Sequence, residues 1–197
     1  MKKLLTLLGL VFLTTFAHCA AITLSWSPNQ EEDLSGYRIY WGTTSRAYGN
    51  HRTVLTPNTQ VTLDGLIPGL TYYFAVTAFL SDGLESGYSQ EVQHLVPLPP
   101  IRALAVFGVD NGPPKVLLWP AKTPPLGLSL AGYEIHIGTS PGVYDRVIRT
   151  RDTAVALNHM DLSEGVEYFF VVCYRYSNGV VSPRSGEVSH IYREPGL

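Results

Sequence analysis

Disulfide chemistry is almost absent from this 197-residue chain, which has two cysteines, Cys19 and Cys173. Cys19 falls in an N-terminal stretch expected to be removed. A lone Cys173 then remains, so no internal cross-link can form and each folding unit must be held by its own apolar core. Charge is scarce as well: charged residues make up 15% of the chain and the formal net charge is −2. Without Lys2 and Lys3, 12 basic residues face 16 acidic ones, a balance of −4. A mildly acidic surface with no basic cluster argues against nucleic acid and against anionic membranes as partners. Past residue 20 no apolar run approaches the ~20 residues that cross a bilayer, and no helical period emerges. A Gly-x-Ser-x-Gly elbow, a phosphate-binding loop and a His-Glu-x-x-His zinc helix are all missing, so neither catalysis nor a cofactor is expected.

What is present begins with a leader. Met1-Lys2-Lys3 is a positive start, Leu4 to Phe16 is nearly unbroken apolar sequence, and small residues follow at Ala17, Cys19, Ala20 and Ala21. This reads as a signal peptide over residues 1–20, with cleavage after Cys19 or Ala21. It implies a secreted protein, or one of the periplasm or cell envelope. An acyl chain on Cys19 would make a membrane the anchor. His18 argues against that, because such sites take Gly or Ala before the cysteine.

The strongest signal is an internal repeat. Gly36-Tyr37-Arg38-Ile39 recurs as Gly132-Tyr133-Glu134-Ile135, Gly42-Thr43 as Gly138-Thr139, and Tyr48 as Tyr144. Leu66, Gly69 and Tyr72 recur as Leu162, Gly165 and Tyr168, and Glu91-Val92 as Glu187-Val188, all at one offset of 96 positions. Within each repeat, apolar residues alternate with polar ones over short stretches bounded by turn residues. Examples are Ile22 to Trp26, Tyr37/Ile39/Trp41, Val61/Leu63 and Tyr72/Phe74/Val76/Ala78 in the first repeat. The second has Val116 to Trp119, Tyr133/Ile135/Ile137 and Tyr168/Phe170/Val172/Tyr174. Period two at this spacing predicts an all-β chain of two tandem antiparallel sandwiches, over residues 21–97 and 98–197. Val96-Pro97-Leu98-Pro99-Pro100 separates them as an extended, semi-rigid joint.

These residues resemble the fibronectin type III family, an immunoglobulin-like β-sandwich, over nearly all of the chain past the leader. The resemblance rests on Trp26 and Trp119 in strand B, on Gly-Tyr-x-Ile in strand C with Tyr37 and Tyr133, and on a Leu-x-x-Gly-x-x-Tyr corner before strand F. The corner is Leu66, Gly69 and Tyr72 in the first repeat and Leu162, Gly165 and Tyr168 in the second. Glycine permits the tight turn there, and the tyrosine buries its ring while its hydroxyl reaches upstream backbone. Two departures stand out. Domain 1 starts almost at strand B and is expected to lack strand A, leaving either an open edge for a partner strand or one covered by a loop or neighbour. Domain 2 has Ile101 to Val106 ahead of its strand B, and a long B–C stretch, Pro120 to Ala131, expected to be a surface loop.

Candidate sites reduce to one aromatic feature. With Tyr37/Ile39/Trp41 and Tyr72/Phe74/Val76 facing inward, Tyr40 and Tyr73 point outward on one sheet, and Phe169 and Val171 occupy the corresponding region of domain 2. This stripe could contact a protein or a carbohydrate, could pack between the domains, or could be cross-strand packing within a sheet. His136 is expected as a solvated strand residue, Glu31-Glu32-Asp33 as a solvated turn rather than a calcium loop, and Cys173 as an apolar filler. The expected function is a non-catalytic, exported binding, adhesion or adaptor module. The alternatives are a structural spacer or assembly subunit, or a carbohydrate-binding accessory protein. The partner is an unknown protein or carbohydrate, and nothing in the sequence sets the oligomeric state.

Overall fold

The computed structural model describes residues 14–15, 21–108, 114–125 and 127–194. Apart from Thr14 and Thr15, the leader therefore lies outside the described residues. The chain forms two compact units, 1–97 and 98–197, each built of two antiparallel sheets around its own core.

In domain 1 one sheet has the order β1-β2-β5, from β1 (Thr14–Thr15), β2 (Ile22–Ser25) and β5 (Gln60–Leu63). The other has the order β4-β3-β6-β7, from β3 (Leu34–Gly42), β4 (Asn50–Leu55), β6 (Thr71–Leu80) and β7 (Val92–Leu95). Ile22, Leu24, Trp26, Tyr37, Ile39, Val61, Leu63, Tyr72, Phe74 and Val76 meet between the sheets, all buried. Each fully buried large apolar side chain contributes roughly 1.5–3 kcal/mol, so this alternation is what closes the sandwich without a disulfide. Trp26 packs edge-on against Tyr37, centroids 5.2 Å apart, and the Tyr37 hydroxyl accepts the Asn29 N–H at 2.9 Å.

Domain 2 repeats the plan. β8 (Ala105–Phe107), β9 (Val116–Leu118) and β12 (Ala154–Ala156) form one sheet, ordered β12-β9-β8. The other is β11-β10-β13-β14, from β10 (Leu130–Gly138), β11 (Arg146–Thr150), β13 (Glu167–Tyr176) and β14 (Val188–Ile191). Leu117, Trp119, Tyr133, Ile135, Ile137, Phe170, Val172 and Tyr174 fill the core. Trp119 meets Tyr133 at 5.5 Å, and the Tyr133 hydroxyl accepts the Lys122 N–H at 2.9 Å, which ties the long B–C stretch to the core.

Both corners form as their residues require. Gly69 and Gly165 take φ of +85° and +78°, where a Cβ is disfavoured. The Tyr72 hydroxyl accepts the Ile67 N–H at 3.2 Å and the Tyr168 hydroxyl accepts the Ser163 N–H at 3.0 Å.

The expected missing strand A of domain 1 is corrected here. Thr14 and Thr15 pair with Thr23 and Ile22, so residues assigned to the leader occupy the outer edge of strand B. The physical reason is the unpaired ladder of β2, which accepts any extended segment that reaches it.

Candidate functional site

On β3 of domain 1, Tyr37 and Ile39 point into the core, so Arg38 and Tyr40 point out. Tyr40 lies opposite His51 on β4 and Ala75 on β6, while Arg38 lies opposite Thr53 and Thr77. Two local devices bring further rings onto this face. The β3–β4 hairpin is so tight that a Cβ on Gly42 would lie 2.3 Å from the Ala47 carbonyl oxygen, and this closeness folds Tyr48 back beside Tyr40. After β6, the segment 84–90 runs along the strand edge. Ser86 Oγ accepts the Ala78 N–H at 2.9 Å and donates to Gly87 O, and Ser89 Oγ accepts the Val76 N–H at 3.0 Å and donates to Gln90 O. Serine hydroxyls thus stand in for part of a strand. Between them the chain lifts Tyr88 over the sheet.

The result is a cluster of three tyrosines. Tyr88 stands 5.1 Å from Tyr40 at an interplanar angle of 86°, and 5.2 Å from Tyr48 at 68°. His51 flanks Tyr40 at 5.7 Å. The steep angles make a notch rather than a flat platform, and Tyr88, 53% exposed, forms its open wall.

Two carboxylates brace the notch from behind. Glu85 accepts hydrogen bonds from the Tyr40 hydroxyl at 2.7 Å and Thr77 Oγ1 at 2.5 Å, and pairs with Arg38. Burial pushes its carboxyl up, but the bonds from Thr77, Tyr40 and Arg38 outweigh that and hold it below the ordinary glutamate value. Glu91 accepts from Ser45 Oγ, the Arg46 N–H and the Tyr48 hydroxyl, each at 2.6 Å. Those bonds, led by Ser45 and Tyr48, lower it too. Burial, with a carboxylate behind each ring, raises the phenols of Tyr40 and Tyr48. Both phenols therefore stay protonated, donating to a carboxylate and keeping lone pairs for a ligand hydroxyl.

Domain 2 keeps the framework and changes its surface. A Cβ on Gly138 would lie 1.8 Å from the Val143 carbonyl oxygen, the same tight hairpin as at Gly42. Glu187 accepts the Tyr144 hydroxyl at 2.5 Å and the Gly142 N–H at 2.8 Å; burial and this bond push the Tyr144 phenol up to about 12. Ser182 and Ser185 take the amides of Tyr174 and Val172 at 3.1 and 2.9 Å. At the positions of Tyr40 and Tyr88, however, stand His136 and Arg184, the latter 4.8 Å over the Tyr144 ring. Glu134, in the place of Arg38, accepts from Arg149 Nε at 3.0 Å and Arg175 Nη2 at 2.5 Å. Among the described residues no group of three or more His, Cys, Asp or Glu could hold a metal ion.

The four aromatic and apolar residues singled out from the sequence part company here. Tyr40 is at the centre of the notch. Tyr73 shares its face but lies opposite Gly42 and Gln93, outside the tyrosine cluster. Phe169 is half-buried, and Val171 is only 2% exposed, as Cys173 is 4% exposed, so Val171 cannot serve as a contact surface. The reason is the row above them: Val171 and Cys173 pair with His136 and Glu134, and Arg184 also closes in on Cys173. His136 is likewise not solvated. Its side chain is 17% exposed, and burial, with Arg184 nearby, lowers its pKa. Sequence reasoning missed Tyr88, Glu85 and the serine pairs. The signal was available for the serines: Ser86/Ser182 and Ser89/Ser185 share the 96-position offset.

Comparison with known proteins places the fold. Residues 17–94 match the model of the fibronectin type III domain. Endoglucanase B of Cellulomonas fimi is 31% identical over 178 residues, covering 85% of this chain and 16% of that protein. A Kelch domain-containing protein of Saccharolobus solfataricus is 34% identical over 121 residues, covering 59% of this chain and 15% of that protein. The chain thus spans less than a fifth of the curated relatives it matches. Among solved structures, a two-domain fibronectin type III segment of chicken tenascin aligns over 94% of this chain and 98% of its own, with a TM-score of 0.64 at 16% identity. With its first repeat matched by the family model and both repeats built on one plan, the chain belongs to the fibronectin type III family.

Proposed function

We propose that this chain is a non-catalytic, exported binding module whose domain 1 grips a neutral polysaccharide chain in the Tyr40/Tyr48/Tyr88 notch. The observation that carries this reading is the pairing of exposed aromatic surface with braced phenols. Sugar rings present C–H faces that pack on aromatic rings, and hydroxyls that need fixed hydrogen-bond partners. Tyr88 offers the packing surface. Tyr40 and Tyr48, held by Glu85 and Glu91, offer acceptors whose orientation is fixed before binding, which lowers the ordering cost. A notch suits a single solvated chain better than a flat crystalline face. Likeness to a secreted polysaccharide-degrading enzyme supports the ligand class, and the leader at residues 1–20 supports export.

Affinity electrophoresis in gels containing a soluble β-glucan tests this. The wild-type chain is expected to be retarded and Tyr88→Ala to migrate freely, with the same urea midpoint. Equal migration of both would sink the reading and leave the spacer role as the better account.

A further inference from the structure

Domain 2 carries a depression of about 430 Å³ on the outer side of β10, β11 and β13, lined by Gly132, Glu134, Arg149, Thr150, Arg151 and Arg175 among others. That volume falls in the range of small-ligand sites, roughly 300–1,000 Å³. The internal repeat shows how it arises. Ninety-six positions earlier, the residues matching Glu134, Arg149, Arg151 and Arg175 are Arg38, Thr53, Leu55 and Phe79. In domain 1 the Phe79 ring lies against Gly36, and the Arg38 guanidinium stacks 5.1 Å above it. In domain 2 that ring is replaced by an arginine. Its guanidinium reaches Glu134 instead, and space opens where the ring was.

The charges are not a closed pair. Glu134 needs one guanidinium for neutrality, yet Arg149 Nε and Arg175 Nη2 both bond its Oε1, and Arg151 is a third cation on the exposed wall. Asp152, just past the rim, turns to Thr150, taking its backbone N–H to Thr150 Oγ1 at 3.0 Å. Three guanidiniums against one lining carboxylate leave an excess of positive charge on a partly enclosed surface, where an anion is favoured. Glu134 itself is 8% exposed and lowered in pKa, since bonds and charge from Arg149 and Arg175 outweigh its burial. It stays ionised, and its Oε2 faces only His136 Nε2 at 3.8 Å, beyond hydrogen-bond distance. A ligand that fits must bring an anion for the arginines and hydroxyl donors for Glu134.

We infer that this depression binds the carboxylate-bearing ring of an acidic sugar, a uronate unit of a polysaccharide, so that the two domains hold chemically different stretches of glycan. The inference rests on the polysaccharide reading of domain 1. An aspartate or glutamate side chain of a peptide would meet the arginines but would bring no hydroxyl donor to Glu134 Oε2. A neutral sugar would leave the cations unmatched.

Calorimetry at low ionic strength on the full chain, with oligogalacturonate, cello-oligosaccharide and polyglutamate as probes, tests it. Oligogalacturonate is expected to bind the wild type and the Tyr88→Ala variant alike, and to weaken by about tenfold in Arg149→Gln/Arg151→Gln, the loss of one charge-assisted contact. If that double variant fails to fold, Arg151→Glu at an exposed position is expected to weaken binding at least as much. No binding of oligogalacturonate, or equal binding of polyglutamate, overturns the acidic-sugar site. So does a loss caused by Tyr88→Ala rather than by the arginine changes. The cello-oligosaccharide arm decides the domain 1 reading separately.

Discussion

Tyr72 and Tyr168 show how much of a fold a single side chain can hold. Each buries its ring between the sheets and satisfies a backbone amide upstream, Ile67 and Ser163 respectively. Removing the hydroxyl alone, in Tyr168→Phe, strands the Ser163 N–H and is expected to cost about 1–2 kcal/mol. Tyr168→Ala removes the ring as well and is expected to cost about 3–5 kcal/mol. Urea denaturation of the two variants checks both. Glu85 supplies a pH signature. Its folded pKa lies below the ordinary value of 4.5, so its contribution is present above that value and is lost as pH falls through the folded pKa. The stability of Glu85→Gln is therefore expected to fall less steeply than that of wild type as pH is lowered from 5 towards 3; parallel acid limbs would count against the network. The corner tyrosines were legible because their partners lie five residues upstream, within one motif. Glu85 and Tyr88 were not, because they meet Tyr40 across 45 and 48 positions of sequence, and nothing in the local pattern announces that meeting.

Among elements, the strands rich in alternating apolar residues could be read directly: β3, β6, β10 and β13 lie where the period-two pattern is strongest. β4, β11 and β12 escaped, since Asn50 to Leu55 and Arg146 to Thr150 carry mostly polar side chains and are held by backbone pairing to β3 and β10 instead. The serine-pinned segments 84–90 and 180–186 escaped for a related reason, because hydroxyls replace the main-chain partners that a strand pattern would announce. Ser185→Ala tests their worth. It strands the buried Val172 N–H and is expected to cost about 1–3 kcal/mol. Hydrogen exchange at the Val172 amide should accelerate more than at core amides elsewhere in β13. A uniform acceleration would mean that the serine acts only through global stability.

The whole molecule is a duplication that has kept its frame and diverged at its surface. Both domains retain the tight hairpin, the Glu–Tyr bond behind it and the serine pair, while the residues they display change from tyrosines to histidine and arginines. Each core closes within its own unit, so residues 98–197 expressed alone are expected to unfold in one cooperative transition; a broad, non-cooperative one would show that the core is incomplete. The repeat and the two-sandwich plan were legible because a fixed offset survives surface change. The ligand surfaces were not, because the residues that diverge are the ones a repeat cannot report. Nuclear magnetic resonance titration of the isotope-labelled chain with cellohexaose bears most closely on the proposed role. Saturable shifts are expected at Tyr40, Tyr48, His51 and Tyr88, with the domain 1 core unchanged. An absence of shifts, or shifts confined to residues off that face, would contradict it.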